Sequence, residues 1–548
     1  MAAQREKRFL RNPHKVKFCA SLAIGVMAML VTVGCAQGQP STSTPSGDAT
    51  VETPRPGGVL DVAFAIEDPT DIDPLRAGAF QWTNLIGKTN NGLLQYDPIE
   101  NTKIVPELAE RWEISPDGKT YTLFLHKGVK WHDGVPFTAA DVKYTLDRLR
   151  DPNDPKAVNF TSKRALLGPV DRVEIVDDVT VRLHLSRPSN SMLGVLAYGS
   201  MLIAPKHAYE QGVDMDKTAI GTGAFKMSEY QPNVIFRVVR NPDFFLKDRP
   251  YLDGINIYQL RDNATRTGAF LTGQIKLLWP IYARDVAQVT KDMPQAVVST
   301  KSGLRNGMLA YQNEKPPFND LRVRRAIDLA LDRKAALGIL VPGEGSLGTL
   351  LDPAFSQFTS DELSKLPGYR ADKTQDLAEA KRLLTEAGYP DGFKTVIDAS
   401  SQSDDYTELA VFGKDQLAKI GIQATLNIVQ PTVHSTNRTT GNFDMIAVVG
   451  VLSFPDPIGG ANYYGPGNFI RFKDPQFEEL RVRQDTTFDA GERKQLIRQM
   501  EQRWLDQVPY SNLYWKTHSA VLHPEVRGYQ TGVGLYDNQR FVDVWLAK

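Results

Sequence analysis

The chain has 548 residues, with 64 lysines and arginines balanced by 64 aspartates and glutamates, and 41% of its side chains are hydrophobic. That length exceeds one ordinary core, so two or three domains are expected, and the even charge leaves no basic footprint for a nucleic acid. Cys19 and Cys35 are the only cysteines and both precede the first strand-like segment, so the folded body has no disulfide framework or thiolate metal site.

Residues 1–17 hold Arg5, Lys7, Arg8, Arg11, Lys15 and Lys17 against a single acid, Glu6. An apolar run follows over 18–33 and ends in Gly34-Cys35; its 16 residues fall short of the roughly 20 that span a bilayer, which is the layout of a secretory signal. Thr32-Val33-Gly34-Cys35 resembles the bacterial lipoprotein box, with Thr32 where a leucine is usual. The resemblance implies that residues 1–34 are removed and Cys35 is acylated, leaving a net charge near −5. The alternative is a plain secretory or membrane segment with an incidental cysteine. Residues 35–56, rich in Ser, Thr, Gln and Pro, cannot bury enough surface to offset their ordering entropy and read as a flexible tether. A lone acyl chain binds membranes marginally, so a stable anchor at Cys35 needs two or more.

Residues 58–65 (GVLDVAFA) read as a first buried strand, opening into 66–74, which contains Glu67, Asp68 and the pair Asp73-Pro74. The most readable stretch is 106–142. Trp112-Glu113-Ile114 runs into Ser115-Pro116-Asp117-Gly118, a turn with proline at its second position and a glycine free to take positive φ. The β-rich residues 119–125 then return as the second strand of a hairpin. After a second turn at His132-Asp133-Gly134, Thr138 is placed to cap a helix running through Leu146.

Further on, 221–225 (GTGAF) holds a glycine pair, but no Lys-Ser/Thr follows to make it a phosphate loop. Residues 308–313 read as a strand ending at Asn313, and 321–334 as one helix with Val323, Ala326, Ile327, Ala330 and Leu331 on its buried face. A helix over 378–387 stops at Gly388 and Pro390; another covers 493–504 and precedes a strand through Tyr514 and Trp515. Gly343 to Gly348 spells G-x-G-x-x-G but follows a helix and Pro342, the wrong context for a dinucleotide site. The eight histidines show no zinc-binding spacing, and His126 and His132 straddle a turn as structural residues. No nucleophile elbow or triad order is visible, so neither an enzyme nor a cofactor is expected.

Trp112, Ser115, Asp117, Gly118, Tyr121, Phe124, Leu125, Gly128, Val129, Lys130, His132, Asp133, Gly134, Pro136, Thr138, Ala139, Asp141 and Val142 together resemble the shared segment of extracellular solute-binding proteins of the peptide, opine and nickel importer family. Residues 221–225, 241–245, 316–334 and 386–393 resemble further words of that family, with Ala224 in place of a proline and Lys276 in place of an acid. The resemblance covers nearly all of 57–548. It implies an α/β fold of two lobes, a periplasmic-binding-protein-like (type II) clamshell of three domains with a hinge of two crossings near 305 and 510. The first lobe would comprise 57–96, 199–305 and 510–548, with 97–198 as an inserted small domain and 306–509 as the second lobe.

The implied function is a lipid-anchored, extracytoplasmic and monomeric receptor of an ATP-binding-cassette importer, passing a peptide or other small solute to permease subunits with cytoplasmic ATPases. A surface sensor or interaction protein using the same clamshell is the alternative. Relatives that bind peptides commonly carry a tryptophan and an aspartate where this chain has Gly450 and Ser453, and the aspartate pairs with the peptide ammonium. A serine hydroxyl supplies no charge, so that task either passes to Asp456, Glu67 or Asp68 or is absent, which would suit a sugar, an opine or a chelated metal. The cleft candidates are Glu67, Asp68, Tyr311, Asn313, Ser453, Phe454, Asp456, Tyr514 and Trp515.

Overall fold

The computed structural model describes residues 52–64, 72–76, 85–100, 102–154, 161–281, 283–532 and 540–547. The chain divides into Met1–Thr53 and a compact unit, Pro54–Lys548, and the description below concerns the second. The signal, Cys35 and the pair Glu67 and Asp68 lie outside the described residues.

A mixed sheet of 11 described strands forms the centre of the unit. Its axis is a pair of long antiparallel strands, Val297–Tyr311 and Tyr510–Leu522, in register from Val297 opposite Leu522 to Ala310 opposite Tyr510. At one end Leu277–Ile281 joins the pair, followed by Val59–Phe64, Gly254–Gln259, Ile235–Arg240 and Phe225–Gln231. At the other end Met445–Val451 joins, followed by Lys394–Ser400 and Gln423–Val429. Both halves therefore hang on two continuous strands, whose register slips between Ser302 and Arg305 and again between Gly307 and Met308. Their flanks are covered on both sides, which is why residues 510–522 are buried almost without alternation. Tyr514 lies so close over Gly307 that a Cβ there would sit 2.2 Å from its ring.

The 106–142 stretch supplies the first two strands of a separate four-stranded antiparallel sheet, the meander, in the spatial order Ala109–Ile114, Thr120–Leu125, Thr180–Leu185 and Val170–Asp177. Its turn forms as the sequence indicates, with Gly118 at φ 67° and its N–H donating to Ser115 O at 2.8 Å. Tyr121, Leu123 and Leu125 point inward from the strand and meet Val142, Leu146 and Leu149 of the helix Ala139–Arg150. Thr138 caps that helix, and Asp141 returns the favour to the Thr138 N–H at 2.9 Å, a complete capping box.

Elsewhere the expected helix over 321–334 is two helices, Leu321–Ala330 and Arg333–Ile339. Asp332 accepts the Ala335 N–H and starts the second, so Leu331 leaves the helical path while staying buried. Thr374–Glu386 ends before Gly388, which takes φ 93°, and Ala490–Gln507 begins at the Asp489 cap.

Many buried contacts fasten the meander to the half containing Val59–Phe64. Within that half Gly221 and Gly223 press on the Thr89 carbonyl, where a Cβ would lie 1.8 and 2.6 Å from the oxygen, and this glycine turn receives His132 of the meander. His132 Nε2 donates to Gly223 O at 3.1 Å while its Nδ1 accepts the Gly221 N–H at 3.3 Å. That pair of bonds selects the neutral Nε2–H tautomer, and burial pushes the imidazole down to about 4. Glu107 accepts from Asn91 at 2.7 Å, from the Gly92 N–H at 2.9 Å and from Arg540, all of them buried. Lys163 is buried against the carbonyls of Pro74 and Leu75, and burial lowers its ammonium to about 7.

Candidate functional site

Strand Met445–Val451 is apolar and enclosed, and the chain turns polar as it leaves the sheet at Ser453-Phe454-Pro455-Asp456-Pro457. This loop holds itself: Asp456 N–H donates to Phe454 O at 2.8 Å, Gly459 N–H to Asp456 O at 2.9 Å, and Ser453 N–H to Gly459 O at 3.0 Å. Phe454 leaves its own half and packs beside Tyr198 at a centroid distance of 6.1 Å. With Ile458 it completes the meander's apolar cluster, and a Cβ on Gly194 would sit 3.3 Å from its ring. The two halves thus meet along a seam through Phe454.

Asp456 is committed within the protein. Its carboxylate takes Arg493 Nη2 at 2.6 Å and the Ile458 N–H at 2.9 Å; burial raises its pKa and Arg493 opposes the rise. The neighbouring Tyr96 hydroxyl is pushed well up by burial first and by the Asp456 charge second, so it stays a neutral donor. Ser453 is half-buried and its hydroxyl has no partner among the described residues.

A second polar group sits where the long strands slip register. Lys516 Nζ lies 3.4 Å from Glu344 and 3.6 Å from Asp405, and Arg305 Nη2 lies 3.4 Å from Asp405. The side chains of Lys516 and Glu344 are each 7% exposed, that of Asp405 15% and that of Arg305 23%. Burial raises the Glu344 carboxyl, with Lys516 pulling the other way. These four side chains bring two cations against two carboxylates at 3.4–3.6 Å, longer than the usual charge-assisted hydrogen bond, and Glu344 also accepts the Ala283 N–H. The sequence reading missed it because Arg305, Glu344, Asp405 and Lys516 come from four separate segments.

The remaining described candidates lie on or beside the two long strands, away from the seam. Tyr311 is fully buried, stacks on Phe318 at 6.0 Å, and its hydroxyl meets Ser511 Oγ at 3.2 Å. Asn313 ties three carbonyls together, those of Tyr311, Ile470 and Pro509. Tyr514 and Trp515 are buried in the two apolar clusters on opposite sheet faces, and Trp515 Nε1 donates to Thr349 O at 3.1 Å. Among the described candidates only Ser453, Phe454 and Asp456 come together at the seam. Among the described residues no cluster of His, Cys, Asp and Glu could hold a metal ion, and no helix is long and apolar enough to cross a membrane.

Two sheet-centred halves that share a pair of continuous strands and meet along a seam have the architecture of a clamshell. Residues 103–469 match the model for the bacterial extracellular solute-binding proteins, family 5, middle region, and the chain belongs to that family. It is 29% identical over 368 residues to the glutathione-binding protein GsiB of Salmonella paratyphi A, covering 67% of this chain and 69% of that protein. Two solved structures superpose over 90% of this chain and 99% of their own, each with a TM-score of 0.77. One is the Helicobacter pylori periplasmic binding protein DppA in complex with the peptide STSA, 27% identical; the other is AgaA of A. tumefaciens R10 in complex with agropinic acid, 26% identical. The fold is the type II clamshell of periplasmic binding proteins.

Proposed function

We propose that this solute-binding protein is the receptor of an ATP-binding-cassette importer, enclosing short peptides between its lobes and delivering them to permease subunits in the membrane. The observation that carries the reading is the quartet of two cations and two carboxylates, Arg305, Lys516, Asp405 and Glu344, at the hinge strands. Its loosely spaced pairs can exchange partners with a zwitterion, the ammonium going to a carboxylate and the ligand carboxylate to a cation. Peptide-complexed DppA and the glutathione-binding relative support the same class. In this reading the solute-facing set is Ser453 and the quartet, with Glu67 and Asp68 as further acids, and the protein is a monomer without catalytic activity. Residues 57–96, 199–305 and 510–548 form the first lobe, which carries 97–198, and 306–509 form the second. Cys35 anchors the mature chain to the outer face of the cytoplasmic membrane.

One observation favours a second reading, a carboxylate-rich solute such as an opine. Asp456 is spent on Arg493 and Ser453 has no charge, so the 450–457 loop offers no free carboxylate to an ammonium. AgaA with agropinic acid is similar at 26% identity. Native mass spectrometry of the full chain, purified without denaturation, decides between the two. A mixed population of short peptides is expected; a single non-peptide species would replace the peptide reading and keep the importer class.

A further inference from the structure

The seam contains a contact that the solute does not need. Helix Pro475–Thr486 of the second half carries Asp485 in its last turn, where the unsatisfied carbonyls disfavour a carboxylate. Asp485 is nevertheless 1% exposed, and its donors come from the meander domain nearly 300 residues away in sequence. Oδ1 accepts the Ser191 hydroxyl at 2.6 Å, the Ser191 N–H at 3.1 Å and the Ser189 hydroxyl at 3.1 Å; Oδ2 accepts Arg187 Nη1 at 2.7 Å. Tyr121, from the meander's own strand, holds the Ser189 carbonyl at 2.6 Å and so fixes the socket. On either side Asn190 donates to the carbonyls of Asp485 and Thr487, and the Phe488 ring covers the Gly118 turn.

We infer that Asp485 and the Arg187–Ser189–Ser191 socket form a closure latch, which sets the balance between open and closed lobes without touching the solute. This rests on the clamshell reading but not on the identity of the ligand. The carboxylate has no room for a solute group, since both oxygens are already filled by protein donors. The meander is held to the first half by the buried His132, Glu107 and Lys163 contacts, so opening separates it from the second half at this point. In the open form water reaches Asp485 and the serines, and each is satisfied. In the closed form loss of the carboxylate leaves the buried Ser191 N–H without its acceptor, the Ser189 and Ser191 hydroxyls with only each other, and the part-exposed Arg187 without its ion pair, so removing Asp485 penalises the closed state selectively. Apparent solute affinity falls with the closed fraction, in proportion.

Hydrogen–deuterium exchange on the full chain, with no solute added, tests this directly. A further described contact of the seam is helix Thr161–Leu166 against helix Ala461–Tyr464, so peptides there report opening of the lobes rather than fraying around residue 485. In Asp485→Ala, exchange should rise by about tenfold in peptides covering 186–192, 451–459, 161–167 and 461–465, while the long strands stay protected. Asp485→Arg, which sets a second guanidinium against Arg187, should open the seam at least as far. Arg187→Ala in the Asp485→Ala background should add nothing further. Faster exchange confined to the immediate neighbours of residue 485, or none in either Asp485 variant, would overturn the latch; so would a wild-type seam already exchanging as fast as the variants.

Discussion

The meander domain touches the rest of the molecule on two faces made of different materials. Toward the first half it is joined by a neutral histidine bonded to Gly221 and Gly223, a buried carboxylate–guanidinium pair and a buried lysine. Toward the second half it offers an aromatic contact at Phe454 and a socket of hydroxyls around Asp485. The first kind of contact has no solvated alternative short of unfolding. The second can be exchanged for water by moving one lobe, so its loss costs no more than opening costs. A domain permanently fixed on one face and reversibly held on the other is what a hinged receptor requires.

The sharpest test of that contrast is Glu107→Ala against Asp485→Ala. Without Glu107, Arg540 is an uncompensated buried cation and Asn91 and Gly92 lose their acceptor, so the variant should lose about 3–5 kcal/mol in urea denaturation. Asp485→Ala should lose about 1 kcal/mol or less, because the seam opens instead. Equal losses would mean that the two faces do not differ. Next is Gly221→Ala, which disturbs the first-half surface that receives His132: its Cβ would lie 1.8 Å from the Thr89 oxygen in backbone that cannot yield, with an expected cost of about 3 kcal/mol by the same measurement.

The fixed face also predicts a pH dependence. His132 titrates near 4 in the fold and near its ordinary 6.5 when unfolded, so between these values the unfolded chain binds the extra proton. Its contribution is complete above about pH 6.5 and is lost as the pH falls toward 4, a difference of about 2–3 kcal/mol. Urea unfolding of wild type and His132→Gln across pH 4–7 should show the gap between them closing toward the acid end. A gap independent of pH would assign His132 no proton linkage.

The fixed face was far more legible in the sequence than the seam. Residues 106–142 announce turn, strand, cap and helix because each signal is local, and the structure returns all four. Lys276, whose reversed charge had no sequence rationale, pairs with Glu525 at 2.5 Å, a partner 249 residues away. The quartet and the Asp485 socket escaped for the same reason: serines, an arginine and scattered acids carry no pattern until the lobes bring them together. Tyr311, Tyr514 and Trp515 resembled cleft residues, yet they lie on the long central strands, whose covered faces turn successive side chains into core. Single-helix periodicity over 321–334 was overridden by one residue, Asp332, whose side chain caps a new helix more favourably than it sits inside an old one.

The smallest expected effect bears on what the seam selects. Ser453 is half-buried beside a loop whose one acid is neutralised by Arg493, so a carboxylate placed there would be the loop's first uncommitted charge. Ser453→Asp should therefore favour ligands with a free ammonium. A charge-assisted hydrogen bond exceeds a neutral one by about 1 kcal/mol, so affinity for the peptide Ser-Thr-Ser-Ala should rise about fivefold by isothermal titration calorimetry. Its N-acetylated form, which lacks the charge, should gain nothing. If both forms gain alike, the substitution acts on closure rather than recognition, and Asp485→Ala in the same background separates the two by lowering both affinities equally. If neither gains, the ammonium lies beyond the reach of residue 453, and a carboxylate of the hinge quartet, Glu67 or Asp68 is left to hold it.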